Sequence, residues 1–326
     1  TGFADRHIFY KPYFIEMGHT MPTVFAEDKK KELLAAFAKG IASLGLTCGA
    51  AKADIKYTSS GPMIGEIAAR LSGGYMSGWT YPYASGVNLT KEALRIALGQ
   101  RPAVLEEKRI PLDMGEDLPF AMYDLPCSRV SAERAWISIP GRIKEIVALG
   151  RAETEPYVRN VMPRLTAGER VSFPRNNVEK CGNVIALSDG YDLAVQAAEH
   201  AVSSIVLRLE AGNRETDAFL AGTEQFCEQG FPPDAFLLSD EERQTVFSCA
   251  EQLGNIEKDA PCAQIEDGRF LEIAENKRDY NHRSLLSTLQ LFDRLCPEHP
   301  AFDALAFFTT VLRGGIQGLL YMRDSC

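Results

Sequence analysis

"ADIKYTSSGPMIGEIAARLSGG", residues 53–74, reads as two strands joined by a tight turn, with charges where an apolar face is expected. The runs AAKADIKYT and PMIGEIAA flank Ser59-Ser60-Gly61, and side chains alternate faces along a strand. Asp54 and Lys56 therefore share one face of the first strand; Ile64, Glu66 and Ala68 share one face of the second. A turn centred on Ser60 sets Asp54 opposite Glu66. Like charges opposed across an antiparallel pair destabilise it by up to ~1 kcal/mol. A divalent cation held by both carboxylates offsets that cost, and Mg²⁺ favours one or two carboxylates plus phosphate oxygens. Lys56, on the same face, offers the plainer alternative of a salt bridge on a solvated hairpin. Arg70 and Gly73-Gly74 set a fork donor beside bare backbone, which suits an anionic substrate group. The same residues also read as a tight turn with Arg70 in solvent.

Around this stretch the chain alternates strand and helix patterns. RHIFYKPYFIEMGH, residues 6–19, is strand material, broken by glycine and proline within Glu16–Pro22. Residues 26–45 form a helix on Leu33, Leu34, Phe37, Ile41 and Leu44, with Gly45 as its stop. TKEALRIALG is a second helix, with Thr90 as N-cap and Gly99 as stop. Residues 107–128 are proline-rich and irregular, a boundary. Short strand runs fill 130–190, and 192–209 supply a helix and a last strand. Residues 213–326 are mostly helical, with Ser239 and Glu242 at capping-box spacing. NKRDYNHRSLL, polar and basic beside an aromatic, leads into one of these helices. The mixture defines an α+β chain divided at 1–106, 107–212 and 213–326.

Bulk composition narrows the function. A net charge of −9, from 35 basic and 44 acidic side chains, argues against a broad nucleic-acid surface. It leaves room for a small anionic ligand held by a few local groups. The eight cysteines are scattered without a C-x-x-C pair, so a zinc site is not expected. With no signal-peptide pattern they read as free thiols in a reducing cytoplasm. The longest apolar run near the C-terminus is too short to cross a membrane. No Ser-His-Asp or Cys-His constellation is visible.

Taken with GVNLTKEALRIALGQ, the opening stretch resembles the ATP-grasp carboxylate–amine ligases. The branch is that of biotin carboxylase, carbamoyl phosphate synthetase and amino-acid ligases such as carnosine synthase. DRHIFYKPYFIEMGHTMPT is similar to that family's substrate-side strand. PGRIKEI and RLTAGERVSFPRNNVEKCGNVIALSDG are similar to its small C-terminal subdomain. The resemblance covers roughly residues 1–212; 213–326 match nothing recognisable and suggest an accessory helical domain for oligomer or partner contact. It implies a partial ATP-grasp domain (antiparallel sheet with packed helices), a small β-rich subdomain and a helical extension.

The same resemblance implies ATP and Mg²⁺ as cofactors, with Asp54 and Glu66 as metal ligands and Lys56 beside them in the cofactor site. Arg70 is the expected catalytic residue, meeting an acyl phosphate or carboxylate. Glu16, His19, Arg70, Gly73 and Gly74 are the expected substrate contacts. Glu16 also reads as a strand-end charge, and His19 as a turn histidine in a structural hydrogen bond. Ala68 departs from the family's Glu-x-Asn-x-Arg and removes a metal-facing oxygen, although carboxyaminoimidazole ribonucleotide synthetase has Glu-x-Ala-x-Arg there. The resemblance begins past the family's preATP domain, lysine-bearing subdomain and glycine-rich loop that close over ATP, none of which is expected ahead of Thr1 in this sequence. The expected protein is therefore the C-terminal portion of a ligase for a small carboxylate or amino acid, working with an N-terminal ATP-grasp partner chain or as a homodimer. No nucleic acid or membrane partner is expected. The rival reading is a non-catalytic remnant of the fold, kept as a binding or scaffold module.

Overall fold

The computed structural model describes residues 2–223, 230–262, 265 and 267–326. The chain opens with β1 (Asp5–Phe9) and β2 (Ile15–Met21). The break expected within Glu16–Pro22 does not occur: β2 runs on, wholly buried, to Met21. It ends where Pro22 withholds a backbone donor. Helix α1 (Glu27–Ser43) stops at Gly45, as expected, in the left-handed region at φ 68°. Leu44, expected on its buried stripe, is the C-cap and is 59% exposed.

The expected hairpin follows as β3 (Lys52–Thr58) and β4 (Gly61–Ala68). A π-helical turn, Met76–Thr80, leads into α2 (Tyr81–Ser85) and α3 (Leu89–Ala97). Asn88, not Thr90, caps α3: its side chain accepts from the Lys91 N–H at 2.9 Å. The short α4 (Ala103–Lys108) precedes the irregular stretch, which carries only the two-residue β5 (Ile110–Pro111) and β6 (Tyr123–Asp124).

Next come β7 (Val130–Trp136), β8 (Gly141–Val147), α5 (Leu149–Glu153), β9 (Val158–Pro163), β10 (Arg170–Val171) and β11 (Gly182–Ser188). The helix and strand expected over 192–209 are α6 (Tyr191–Ser204) and β12 (Val206–Leu209). The remainder is helical, as expected: α7 (Arg214–Leu220), α8 (Asp240–Leu253), α9 (Gly268–Asn276), α10 (Leu285–Leu295) and α11 (Ala304–Ser325). The Ser239–Glu242 capping box is complete in both directions. The small pair β13 (Asn255–Ile256) and β14 (Phe302–Asp303) lies among these helices.

One five-stranded sheet has the order β1-β2-β7-β11-β9, and a three-stranded sheet has the order β10-β8-β12. With the helices they make the mixed α+β class expected. The chain divides into two units. The first comprises residues 1–7, 18–133 and 185–196; its small core gathers Met21, Tyr81, Ala84, Val87 and Leu125. The second comprises 8–17, 134–184 and 197–326, around a larger core that includes Trp136, Ile143, Phe219, Phe292 and Phe307. There, the Asp279 carboxylate lies where a Cβ on Gly315 would stand, and Gly315 has φ 54°, so α11 bends at a position only glycine fills without strain.

No helix among the described residues is long and apolar enough to cross a membrane. Seven cysteines are free thiols; Cys227 lies outside the described residues.

Candidate functional site

The hairpin register starts from its turn. Thr58 Oγ1 donates to the Gly61 carbonyl at 2.9 Å, and Ser59-Ser60 make the connection. That turn pairs Thr58 with Gly61 and, carried on unbroken, would set Asp54 against Gly65; Asp54 and Glu66 are Cα partners only because of a register shift between Asp54 and Ile55. Ile55 faces Ile64, and Gly65 is the extra residue of a bulge. Ile64 and Glu66 were expected on one face; the bulge puts them on opposite faces. Ile64 joins Ile67 beneath α1, where Gly40 leaves no side chain in their way. Glu66 stays with Asp54 on the other face.

That face carries its own cations. Lys52, two residues before Asp54 and so on the same face, reaches Asp54 at 3.0 Å and Glu66 at 2.8 Å. Arg6 of β1 reaches Asp54 at 2.8 Å. Lys56, the expected balancing residue, is exposed and sits opposite Met63, beyond the bulge. Arg70 lies 4.0 Å from Glu66 and donates to the Leu71 carbonyl at 3.0 Å. Both arginine and glutamate are more than half exposed, so this contact is worth little in itself. Past Arg70 the backbone turns through Gly73 and Gly74; the Met76 N–H bonds the Gly73 carbonyl at 3.1 Å, and Gly74 has φ 59°.

The donor chemistry of the carboxylate pair fits a hard divalent cation: two oxygen ligands on adjacent strands, with solvent beside Glu66. A cationic group, the Lys52 ammonium, already bridges both oxygens. Among the described residues no group of three or more His, Cys, Asp or Glu is placed to hold a metal ion. Any metal here would therefore take its other ligands from water or substrate.

Glu16 and His19 both lie inside the buried β2 rather than at a strand end or a turn. In the first unit, His19 Nδ1 is 2.8 Å from Glu133 Oε2 of β7, with each side chain 1% exposed. In the second unit, the Glu16 N–H donates to Asn177 at 2.8 Å, and Lys180 Nζ donates to the Glu16 carbonyl at 2.8 Å. The 175–180 segment thus grips the Glu16 backbone from both polar sides.

Sequence reasoning passed over Lys52, Arg6, Glu133, Asn177 and Lys180. Lys52 was legible, since it shares Asp54's parity on one strand. Glu133 also left a trace, as a carboxylate in the strand run VSAERAW. Arg6 reaches Asp54, and Asn177 and Lys180 reach the Glu16 backbone, through tertiary folding and leave no local signal.

Three comparisons bear on this arrangement. Residues 135–210 match the family model of the L-amino acid ligase C-terminal domain 2. Over 93 residues the chain is 32% identical to carnosine synthase 1 of Homo sapiens, covering 28% of this chain and 11% of that protein. The Gallus gallus carnosine synthase 1 is 30% identical over 100 residues, 31% of this chain and 10% of that protein. Among solved structures, phosphoribosylglycinamide synthetase from Anaerococcus prevotii superposes with TM-score 0.52 at 15% identity, over 64% of this chain and 49% of that one. The L-amino acid ligase from Bacillus licheniformis gives 0.50 at 16% identity, over 61% and 45%.

The fold is that of the C-terminal part of an ATP-grasp ligase. Within that class, the sequence similarity falls to the amino-acid ligases. The chain spans about a tenth of the curated relatives it matches and about half of these two solved structures.

Proposed function

We propose that this chain is the C-terminal portion of an ATP- and Mg²⁺-dependent ligase that joins an amino-acid-type carboxylate to an amine. The observation that carries the reading is the in-register Asp54–Glu66 pair beside Arg70 and the glycine turn. The carboxylate of one substrate attacks the γ-phosphorus of ATP and ADP leaves; the amine of the other attacks the resulting acyl phosphate, losing a proton as phosphate departs. Such chemistry asks for positioning and charge neutralisation more than for a protein nucleophile. Asp54 and Glu66 would hold the metal, which supplies neutralisation of phosphate charge when bound. Arg70 would receive the acyl-phosphate or carboxylate end, with Gly73 and Gly74 offering close backbone approach. His19, in the same unit as these residues, would serve the amine side. A lysine-bearing subdomain and glycine-rich loop, acting together with this chain, would complete the ATP cleft.

Mg·ATP titration by calorimetry tests the proposal on this chain, alone and with an ATP-grasp N-terminal half. Binding is expected in at least the combined sample, and Asp54→Asn with Glu66→Gln should abolish it. No heat in either sample would sink the ligase reading; binding that survives both substitutions would remove the metal assignment. A second reading, a non-catalytic remnant, draws support from Ala68, which offers no metal-facing oxygen opposite Lys52.

A further inference from the structure

The carboxylate pair carries more cationic charge than a simple metal site needs. Lys52 Nζ stands within 3.0 Å of both Asp54 and Glu66, and its side chain is only 14% exposed. Arg6 pairs with Asp54 at 2.8 Å, so two cations meet two anions and the cluster is locally neutral. Arg70, at 4.0 Å from Glu66, adds a further positive charge nearby. Lys52 lies opposite Ala68, whose methyl gives the ammonium nothing to bond, so Lys52 turns along the strand face to the carboxylates. Its four-carbon stem is flexible enough to swing away, whereas Asp54 and Glu66 are held by ladder register.

Resting on the metal reading above, we infer that Lys52 is a built-in counter-ion of the Asp54–Glu66 pair, which a divalent cation must displace. The ammonium supplies in the free protein the charge compensation that opposed carboxylates require. It holds the pair closed and lowers the affinity for a bare metal ion. Lys52 is thus a positioning residue that sets how tightly the site takes its cation. The linkage is reciprocal: whatever Lys52 contributes to the pair, metal must overcome.

Mn²⁺ titration of the 326-residue chain, followed by electron paramagnetic resonance of the free ion, tests this without reference to turnover. Lys52→Met should bind Mn²⁺ at least about fivefold more tightly than the wild type, the lower end of ordinary coupling between linked sites. Lys52→Arg keeps the charge and should bind no more tightly than the wild type. Lys52→Gln replaces the methionine variant if circular dichroism shows that Met is not tolerated. Asp54→Asn with Glu66→Gln should lose the binding. If the neutral Lys52 variants bind no more tightly, or Lys52→Arg binds more tightly, while the double carboxylate variant loses binding, the counter-ion role is wrong and the metal site stands. If Mn²⁺ binding ignores the carboxylate substitutions, the metal reading falls and the counter-ion falls with it.

Discussion

Glu133 stands in a strand whose seven residues are all buried, and its carboxylate meets the His19 ring. A carboxylate so placed is costly to bury unless hydrogen-bonded. Glu133→Ala leaves the His19 ring without that acceptor and should destabilise the protein by about 1.5–3 kcal/mol, the range for hydrogen bonds to charged groups. Glu133→Gln keeps an acceptor and should cost distinctly less. Urea unfolding of the two variants checks this; equal losses would make the pair a packing contact only. At this scale the expected Asp54–Glu66 opposition holds, but through the Gly65 bulge, since the turn lies between Ser59 and Ser60 rather than at Ser60. The sequence did not expose His19–Glu133, whose partners are separated by 114 positions.

Elements show where local rules suffice. The hairpin, α1, α6 and the capping box at Ser239 stand as their patterns require, since caps and periodicity act within a few residues. The bulge at Gly65 was not legible. Its cause is the need to aim Ile64 and Ile67 at α1 while leaving Glu66 on the opposite face. The C-terminal end of α11 is tied to two strands in a similar non-local way. Asp324 accepts from Arg208 of β12 at 2.8 Å and from Lys144 of β8 at 3.2 Å. Burial alone would raise its carboxyl; hydrogen bonds from Arg323, Arg208 and Lys144 outweigh that and hold it below the ordinary 3.8. A depressed carboxylate stabilises the fold above its unfolded value and loses that contribution as pH falls through the folded one. Asp324→Asn should therefore lower stability at about pH 7 and reduce the loss seen on acidification below about pH 4, the unfolded carboxylate range. Urea unfolding at both pH values reads the difference; parallel curves for wild type and variant would dismiss the anchor.

For the molecule as a whole, the helical region is not appended to the second unit but forms part of its core. Asn281 binds the Ile137 N–H at 2.9 Å and its carbonyl at 3.0 Å, and Gln317 accepts from the Ile139 N–H at 3.3 Å. Arg283 donates to the Ile205 carbonyl. Phe219, Phe270, Phe292 and Phe307 are buried in the same cluster as Trp136 and Ile143. Each such ring contributes about 1.5–3 kcal/mol by burial, against a net stability of about 5–15 kcal/mol for an ordinary domain. A chain ending at Gly212 should therefore show no cooperative thermal transition for the second unit. A midpoint near that of the full chain would instead make 213–326 a separately folded extension. NKRDYNHRSLL had read as a polar lead-in to a helix. Its Asp279, Asn281 and Arg283 are buried: Asn281 and Arg283 bond the backbone of Ile137 and Ile205, more than 70 positions away, and Asp279 accepts from the Asn281 and Arg283 N–H groups.

The sequence by itself determined most of the elements and the α+β class, which rest on patterns within short windows, and its motifs carried the resemblance to ATP-grasp ligases. Only the tertiary structure decided that a bulge brings Asp54 opposite Glu66, that Arg6 joins Lys52 on them, that β2 runs buried through Glu16 and His19, and that the helical third completes a core. Those outcomes depend on groups brought together by chain folding, and no local pattern encodes a partner that lies a hundred residues away.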